Sequence, residues 1–316
     1  MTRLARMALL ASVVSCARPP AQTAASPLFA VDRTPRIAIM SAIQPEWERL
    51  RAATTITGTR VVHGRTHYLG QLAGHDVVLL LSGVSMVNAA MTTQALLDRY
   101  TITRIVFSGI AGGVNPSLAI GDVTVPARWG NYQEQVFARE SSGVFVPPPT
   151  TGAGLGLGEF ANFGMMFPRG TRIARADTVD GTTVRFWFAA DSAMLAVARQ
   201  IAGTARLARC TTRGDCLSHE PRVVVGGNGV SGPTFVDNAA YREYAWSVFR
   251  ADALDMETAA VALVAHHARV PYIAFRSLSD LAGGGAAANE SRTFGQLASD
   301  NSATLVMAFL RALPRR

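Results

Sequence analysis

The chain has 316 residues, 49% apolar and 16% charged, enough apolar material for one large α/β domain or two small ones, and a composition that excludes disorder as its main state. Its 30 Lys+Arg against 22 Asp+Glu give a formal net charge of +8, yet none of those basic residues is a lysine, which excludes Schiff-base enzymes, Walker A nucleotide binders and kinase-type phosphoryl transfer. The arginines are scattered among Ala and Gly without forming runs, so the charge reflects composition and no nucleic-acid partner is expected.

Arg3 and Arg6 precede an apolar run from Met7 to Val14 and then Ser15 and Cys16, the layout of an export signal and too short for a permanent membrane helix. Two processing routes fit it. Val13-Val14-Ser15-Cys16 resembles a bacterial lipobox, which would lipidate Cys16, and Ala24 or Ala25 would serve ordinary cleavage. Either route predicts an exported protein, periplasmic or anchored to the membrane by lipid. Pro19 to Pro27 reads as a tether, which leaves residues 28–316 as the folded domain.

Arg36 to Ala42 is a short apolar run ending in small residues, a buried first strand, and Pro45 then starts a helix that carries Glu46. Gly58 to Leu72 alternates like a hairpin, His75 to Leu81 is a strand ending at Ser82-Gly83, and Met86 to Tyr100 has helical spacing. Ile102 to Phe107 is a further strand, predicted to stop at the small residues from Ser108 to Gly113. Strand, glycine turn and helix in alternation imply a single α/β domain with a mixed, largely parallel sheet flanked by helices. Ligands of such sheets sit at the carboxyl ends of strands, where small residues let backbone approach.

The pattern breaks in an insertion at about 129–221. Pro147-Pro148-Pro149, a Gly-rich run and a patch of Phe160, Phe163, Met165, Met166 and Phe167 predict a long loop or lid that packs onto something. Asp191 is placed to cap a helix from Ser192 to Ile201. In an exported chain Cys210 and Cys216, which enclose a short polar loop, read as a disulfide staple; with one nearby His219 they are too poor a set for zinc, and no metal is expected. A strand at Arg222–Val225, helices at Asn238–Phe249 and Met256–His267, a strand at Tyr272–Leu278 and a closing helix at Ser302–Leu313 complete the pass.

The informative acids stand at element ends: Glu46, Asp255, Glu257 and Asp280. Asp280 follows a buried strand and precedes a glycine-rich turn, so it is either a turn residue or a carboxylate set where a substrate lies. Glu257 opens an Ala-rich helix, where an acid also serves the helix dipole. His266 and His267, near the other end of that helix, read as dipole or packing residues. No G-x-S-x-G elbow occurs, so a serine-hydrolase triad has no support.

Together these segments resemble the nucleoside phosphorylase and nucleosidase superfamily, and most closely its methylthioadenosine/adenosylhomocysteine nucleosidases. The resemblance rests on residues 39–46, 81–84, 107–113, 121–123, 231–236, 254–257 and 277–280, in the family's order. Phe235 to Asn238, the cysteine pair and Leu278 to Gly284 are also similar to plant bark and vegetative storage proteins, which share the fold. The resemblance implies cleavage of the N-glycosidic bond of a purine nucleoside without a cofactor, in a homodimer whose subunits complete each other's pockets. It makes Asp280 the donor of a proton to purine N7 and Glu46 the base that deprotonates the attacking water. Glu257 would hold the ribose 2′ and 3′ hydroxyls, Met256 would pack under the sugar, and Phe235 would stack on the base. Backbone at Val236 would read the base edge, Ile43 would line the end that takes a 5′ substituent, and Ser82, Gly83 and Ser279 would belong to the substrate site.

Two other readings stand beside this one. A phosphorylase on the same fold needs arginines around a phosphate, and the turn after the first strand has none; Arg49 and Arg60 are the candidates if their segments reach. A nucleoside-binding or storage-type lipoprotein without turnover has no need of acids at both Glu46 and Asp280.

Overall fold

A computed structural model of the chain describes residues 32–149, 154, 156–175, 178–285 and 288–315; the export signal, Cys16 and the tether lie outside them. Strand β1 (Asp32–Ser41) ends in buried residues and leads to helix α1 (Gln44–Ala52), where Pro45 pre-sets φ for the first turn. Strands β2 (Thr55–Val62) and β3 (Arg65–Leu72) form the expected hairpin around His63 and Gly64, both at positive φ. Next come β4 (His75–Leu81), α2 (Met86–Leu97), β5 (Tyr100–Gly113), β6 (Val123–Val125) and β7 (Arg128–Asn131).

In the insertion, β8 (Gln135–Phe137), β9 (Arg139–Ser141), β10 (Val144–Val146), β11 (Met166–Pro168), β12 (Thr171–Ala174) and β13 (Thr182–Arg185) pair as antiparallel two-stranded ribbons. Strand β14 (Trp187–Ala189) returns to the main sheet beside β7. Helix α3 (Ser192–Ala202) starts as expected, with the Asp191 carboxylate accepting the Met194 N–H at 2.9 Å. Then follow β15 (Val223–Val225), β16 (Asn228–Ser231), α4 (Ala239–Phe249), β17 (Ala251–Asp255), α5 (Thr258–Ala268), β18 (Tyr272–Asp280) and α6 (Ser291–Ala312).

The main sheet runs β14-β7-β16-β17-β5-β1-β4-β3-β2, with β18 joining β5 to β6 and β15 beyond β6. Its centre is parallel: β1 pairs with both β4 and β5, and β18 pairs with β5. The strands β1, β4, β5 and β18 are the continuous apolar runs seen in the sequence, and helices on both faces bury them. Antiparallel pairs at β2–β3, β3–β4, β5–β17, β6–β18 and β7–β14 make the sheet mixed.

The structure corrects four expectations. Strand β5 does not stop at Phe107 but continues through Ser108–Gly113, because β18 pairs along that stretch and β17 takes Gly112 and Gly113. The segment between α4 and α5 holds the strand β17, and the closing helix begins at Ser291, eleven residues before Ser302. The stretch from Trp129, expected as a long loop or lid, is ribbons and two strands of the main sheet, β7 and β14, ahead of the expected helix α3. Its apolar patch packs except at Met165, which is exposed: Phe160 lies 4.3 Å from Phe186 and 5.2 Å from Phe249, and Phe163 lies 5.1 Å from both Tyr241 and Tyr244, ring centre to ring centre. These aromatics form a second core against α4 and brace the segment from Phe235 to Asn238 that precedes it.

Candidate active site

At the ends of β1, β17 and β18 the chain leaves a cleft of about 370 Å³ whose walls include Ile43, Glu46, Phe235, Met256, Glu257, Ser279 and Asp280. These seven and Asp255, all singled out in the sequence, therefore meet in one place, although they come from four separate segments. The lining is mostly apolar with a few converging carboxylates, the usual character of a small-molecule site.

Glu46 sits in the first turn of α1 and turns back over it. One carboxylate oxygen accepts the N–H groups of Ala42 at 2.7 Å and Ile43 at 3.1 Å, and the other accepts that of Ile110 at 3.0 Å. Burial raises its pKa above the ordinary glutamate range, against the opposing pull of the Arg276 charge and those N–H donors. A carboxylate fixed by backbone of the turn between β1 and α1 and by backbone of β5 at once is held rigidly, which is what a base aimed at one atom requires.

Asp280 ends the fully buried strand β18. Its oxygens accept the Ser279 hydroxyl at 2.8 Å and the Ala282 N–H at 2.9 Å, and Ala282 itself stands at positive φ. The turn geometry and the cleft position thus coexist. Gly112 faces this carboxylate, since a Cβ there would stand 3.2 Å from the Asp280 oxygen.

Glu257 does not cap its own helix. Its side chain reaches across to α2 and accepts the Ser85 N–H at 2.6 Å. Burial and then the nearby charge of Asp255 push its pKa up to about 7, with Arg276 opposing. The helix start is capped instead by Asp255, which accepts the N–H groups of Glu257 at 3.2 Å and Thr258 at 3.1 Å.

Phe235 is 60% exposed at the mouth, an aromatic face left open beside an apolar cleft. Three residues of the sequence reading stand back from the walls. The Val236 side chain packs into the aromatic core under the insertion. Ser82 is buried, its hydroxyl donating to the Gly83 carbonyl at 2.9 Å, and Gly83 takes φ +77°; the wall there is their neighbour Val84. Cys210 and Cys216 are disulfide-bonded and adjacent as an antiparallel bridge, remote in sequence from every cleft element.

One charged residue went unnoticed in the sequence. Arg276, fully buried in β18, donates from Nε to Asp255 at 2.7 Å and from Nη2 to the Thr258 hydroxyl at 2.8 Å, and stacks 4.2 Å over Phe107. Its Nη1 has no hydrogen-bond partner among the described residues. That nitrogen and a Glu46 oxygen converge on Gly109, where a Cβ would stand 1.8 Å from Nη1 and 2.7 Å from Oε1. The signal was available: a lone arginine inside an apolar strand must be paired or it will not be buried. Arg49 and Arg60, the candidates for a phosphate site, are exposed and take no part in the cleft walls.

The cleft also fits what the chain is similar to. The nucleosidases for 5′-methylthioadenosine and S-adenosylhomocysteine of Bacillus thuringiensis (strain Al Hakam) and Bacillus cereus (strain AH187) are each 32% identical over 253 residues, 78% of this chain and 87% of theirs. The S-adenosylhomocysteine nucleosidase of Streptococcus pyogenes, solved with 5-methylthiotubericidin, superposes with a TM-score of 0.65 at 25% identity, covering 91% of this chain and 99% of that one. The futalosine hydrolase of Helicobacter pylori has the same fold, with a TM-score of 0.65 at 19% identity over 90% of this chain and 99% of its own. The model of the phosphorylase superfamily matches residues 36–311, and the chain belongs to that family.

Proposed function

We propose that the protein hydrolyses the N-glycosidic bond of a purine nucleoside of the 5′-methylthioadenosine/S-adenosylhomocysteine type and releases the free base. The observation that carries this reading is the convergence of Glu46 and Asp280, from opposite ends of the domain sequence, on one mostly apolar cleft with Glu257 beside them. Breaking the C1′–N9 bond leaves an oxocarbenium-like sugar and an anionic purine, so a proton must reach the base while another leaves the nucleophile. Asp280 donates to N7, Glu46 takes the proton of the attacking water, and Glu257 accepts hydrogen bonds from the ribose hydroxyls. Met256 and Phe235 supply apolar contact to sugar and base, and Ile43 lines the end that takes the 5′ group. The relatives that are named for these nucleosides support the substrate class.

Water is the nucleophile because of the charge already in place. A phosphate dianion arrives charged and needs arginines, whereas the cleft wall there presents the Glu46 carboxylate. Adenine release from methylthioadenosine is expected to proceed at one rate with or without phosphate and to fall at least about a thousandfold in Glu46→Gln. Formation of a sugar 1-phosphate only when phosphate is added would instead make the enzyme a phosphorylase, and binding without product in either buffer would make it a storage-type binder. We place the mature protein outside the cytoplasm, as a homodimer, with Cys16 as the site of a lipid anchor; a wild-type protein that incorporates no radiolabelled palmitate would rule the anchor out, and incorporation that survives Cys16→Ser would move it away from Cys16.

A further inference from the structure

The buried carboxylate of Asp255 collects more donors than any other in the cleft. One oxygen accepts the Ser231 hydroxyl and the N–H groups of Glu257 and Thr258; the other accepts the Thr258 hydroxyl and Arg276 Nε. Thr258 in turn receives Arg276 Nη2 at 2.8 Å. Two of the three guanidinium nitrogens are thus tied, directly or through one hydroxyl, to a carboxylate on β17, and only Nη1 is left to face Glu46 across Gly109.

The consequence lies in what Arg276 does not do. A buried arginine beside a buried glutamate would be expected to close on it, yet the ion pair of Arg276 is with Asp255 and no hydrogen bond joins Nη1 to Glu46. A closed pair would occupy the Glu46 oxygen and stabilise its ionised form so strongly that it would be a poor proton acceptor. With no arginine near, burial would push the same carboxylate further toward its protonated form, against only the backbone N–H donors.

We propose that Asp255 is the positioning residue of this site, holding Arg276 near enough to Glu46 to keep it ionised and far enough away to leave it free to accept a proton. The inference rests on the hydrolase reading above. The charged groups that face this centre are Glu46 from α1, Asp255 at the end of β17, Glu257 at the start of α5, and Arg276 and Asp280 from β18. In Asp255→Asn the carboxamide keeps the shape but releases the guanidinium, which turns to Glu46. The same change removes a negative charge beside Glu257.

The test is the pH profile of adenine release from methylthioadenosine by the full-length protein. Asp255→Asn is expected to lower kcat at least tenfold while KM changes less than threefold, and to move the acid limb of kcat/KM to lower pH. A kcat within threefold of wild type overturns the proposal, and so does a lower kcat with an acid limb that stays in place or moves up; because loss of the charge beside Glu257 lowers that limb too, Thr258→Val, which keeps the charge, must also lower kcat at least threefold. Should the variant fail to fold by circular dichroism, Thr258→Val removes the Nη2 link and leaves the carboxylate: a kcat at least threefold lower with KM intact supports the positioning role, and an unchanged kcat overturns it. A wild-type protein that releases no adenine refutes the hydrolase reading itself, which separates that failure from this one.

Discussion

Glu257 shows how one residue couples the chemistry of the site to the stability of the protein. Burial and the charge of Asp255 push its pKa up to about 7, above the ordinary glutamate range that it regains on unfolding. Between those two values the native state holds a proton that the unfolded chain has lost, so this group stabilises the fold at low pH and the benefit disappears as pH rises through about 7. Glu257→Gln carries no charge to bury. It is expected to unfold at a higher temperature than wild type at pH 8 and at nearly the same temperature near pH 4, while turnover falls because a carboxamide accepts the ribose hydroxyls less well. Calorimetry at the two pH values checks the sign: equal melting temperatures at pH 8 would mean that Glu257 is ionised without cost. The residue is therefore one at which function is retained against stability.

Elements divide by how far local sequence determines them. β1 and β18 were legible because a continuous apolar run bounded by small residues has few other places to go than a buried parallel strand. Ser108–Gly113 and Ala251–Asp255 were not, because Gly, Ala, Ser and Asp carry little strand preference and tertiary pairing alone makes them strands. The same limit hid the partners of the acids. Glu46, Glu257 and Asp280 could be found as carboxylates at element ends, but the Ser85 N–H, 172 residues from Glu257, and the guanidinium beneath Glu46 belong to no local pattern. The disulfide loop is an element the sequence did define. It docks independently of the bond: Asn301 of α6 accepts the Ala208 N–H at 2.7 Å and donates to its carbonyl at 2.9 Å, and Leu217 is buried against Gly121. The two cysteines are six apart in sequence. Closing so short a loop restricts the unfolded chain by about 2 kcal/mol, so the double substitution Cys210→Ser/Cys216→Ser is expected to lower the melting temperature by roughly 3 °C with kcat within twofold of wild type. A collapse of kcat would mean that the bond, and not the Asn301 clamp, holds the loop behind β18.

At the scale of the whole molecule, the proposed homodimer turns on the surface beside the cleft. Helix α2 buries Ala89, Thr92, Thr93 and Leu96 on the side that packs against α5. Its opposite side exposes Val87 at 78% and Met91 at 52%, and Val84, which is both 43% exposed and part of the cleft wall, continues that apolar strip to the substrate. In the proposed homodimer an apolar strip running into a binding cleft is the surface expected to be covered, since water gains nothing by wetting it. A second copy is the partner that the family resemblance implies, and a closed two-fold dimer would place the same strip of each subunit at the interface. If so, the dimer and the apolar end of the pocket form together: covering Val87 and Met91 also dries the wall at Val84, where a 5′ substituent leaves the ribose. The double substitution Val87→Asp/Met91→Asp puts charges on the strip without touching a cleft residue. Light scattering at micromolar concentration is expected to give a dimer for wild type and a monomer for the variant, and KM for methylthioadenosine is expected to rise roughly tenfold, the ~1.4 kcal/mol that one lost apolar wall is worth. A wild-type monomer with full turnover would break the link between assembly and pocket, and a variant that stays dimeric would move the interface away from α2.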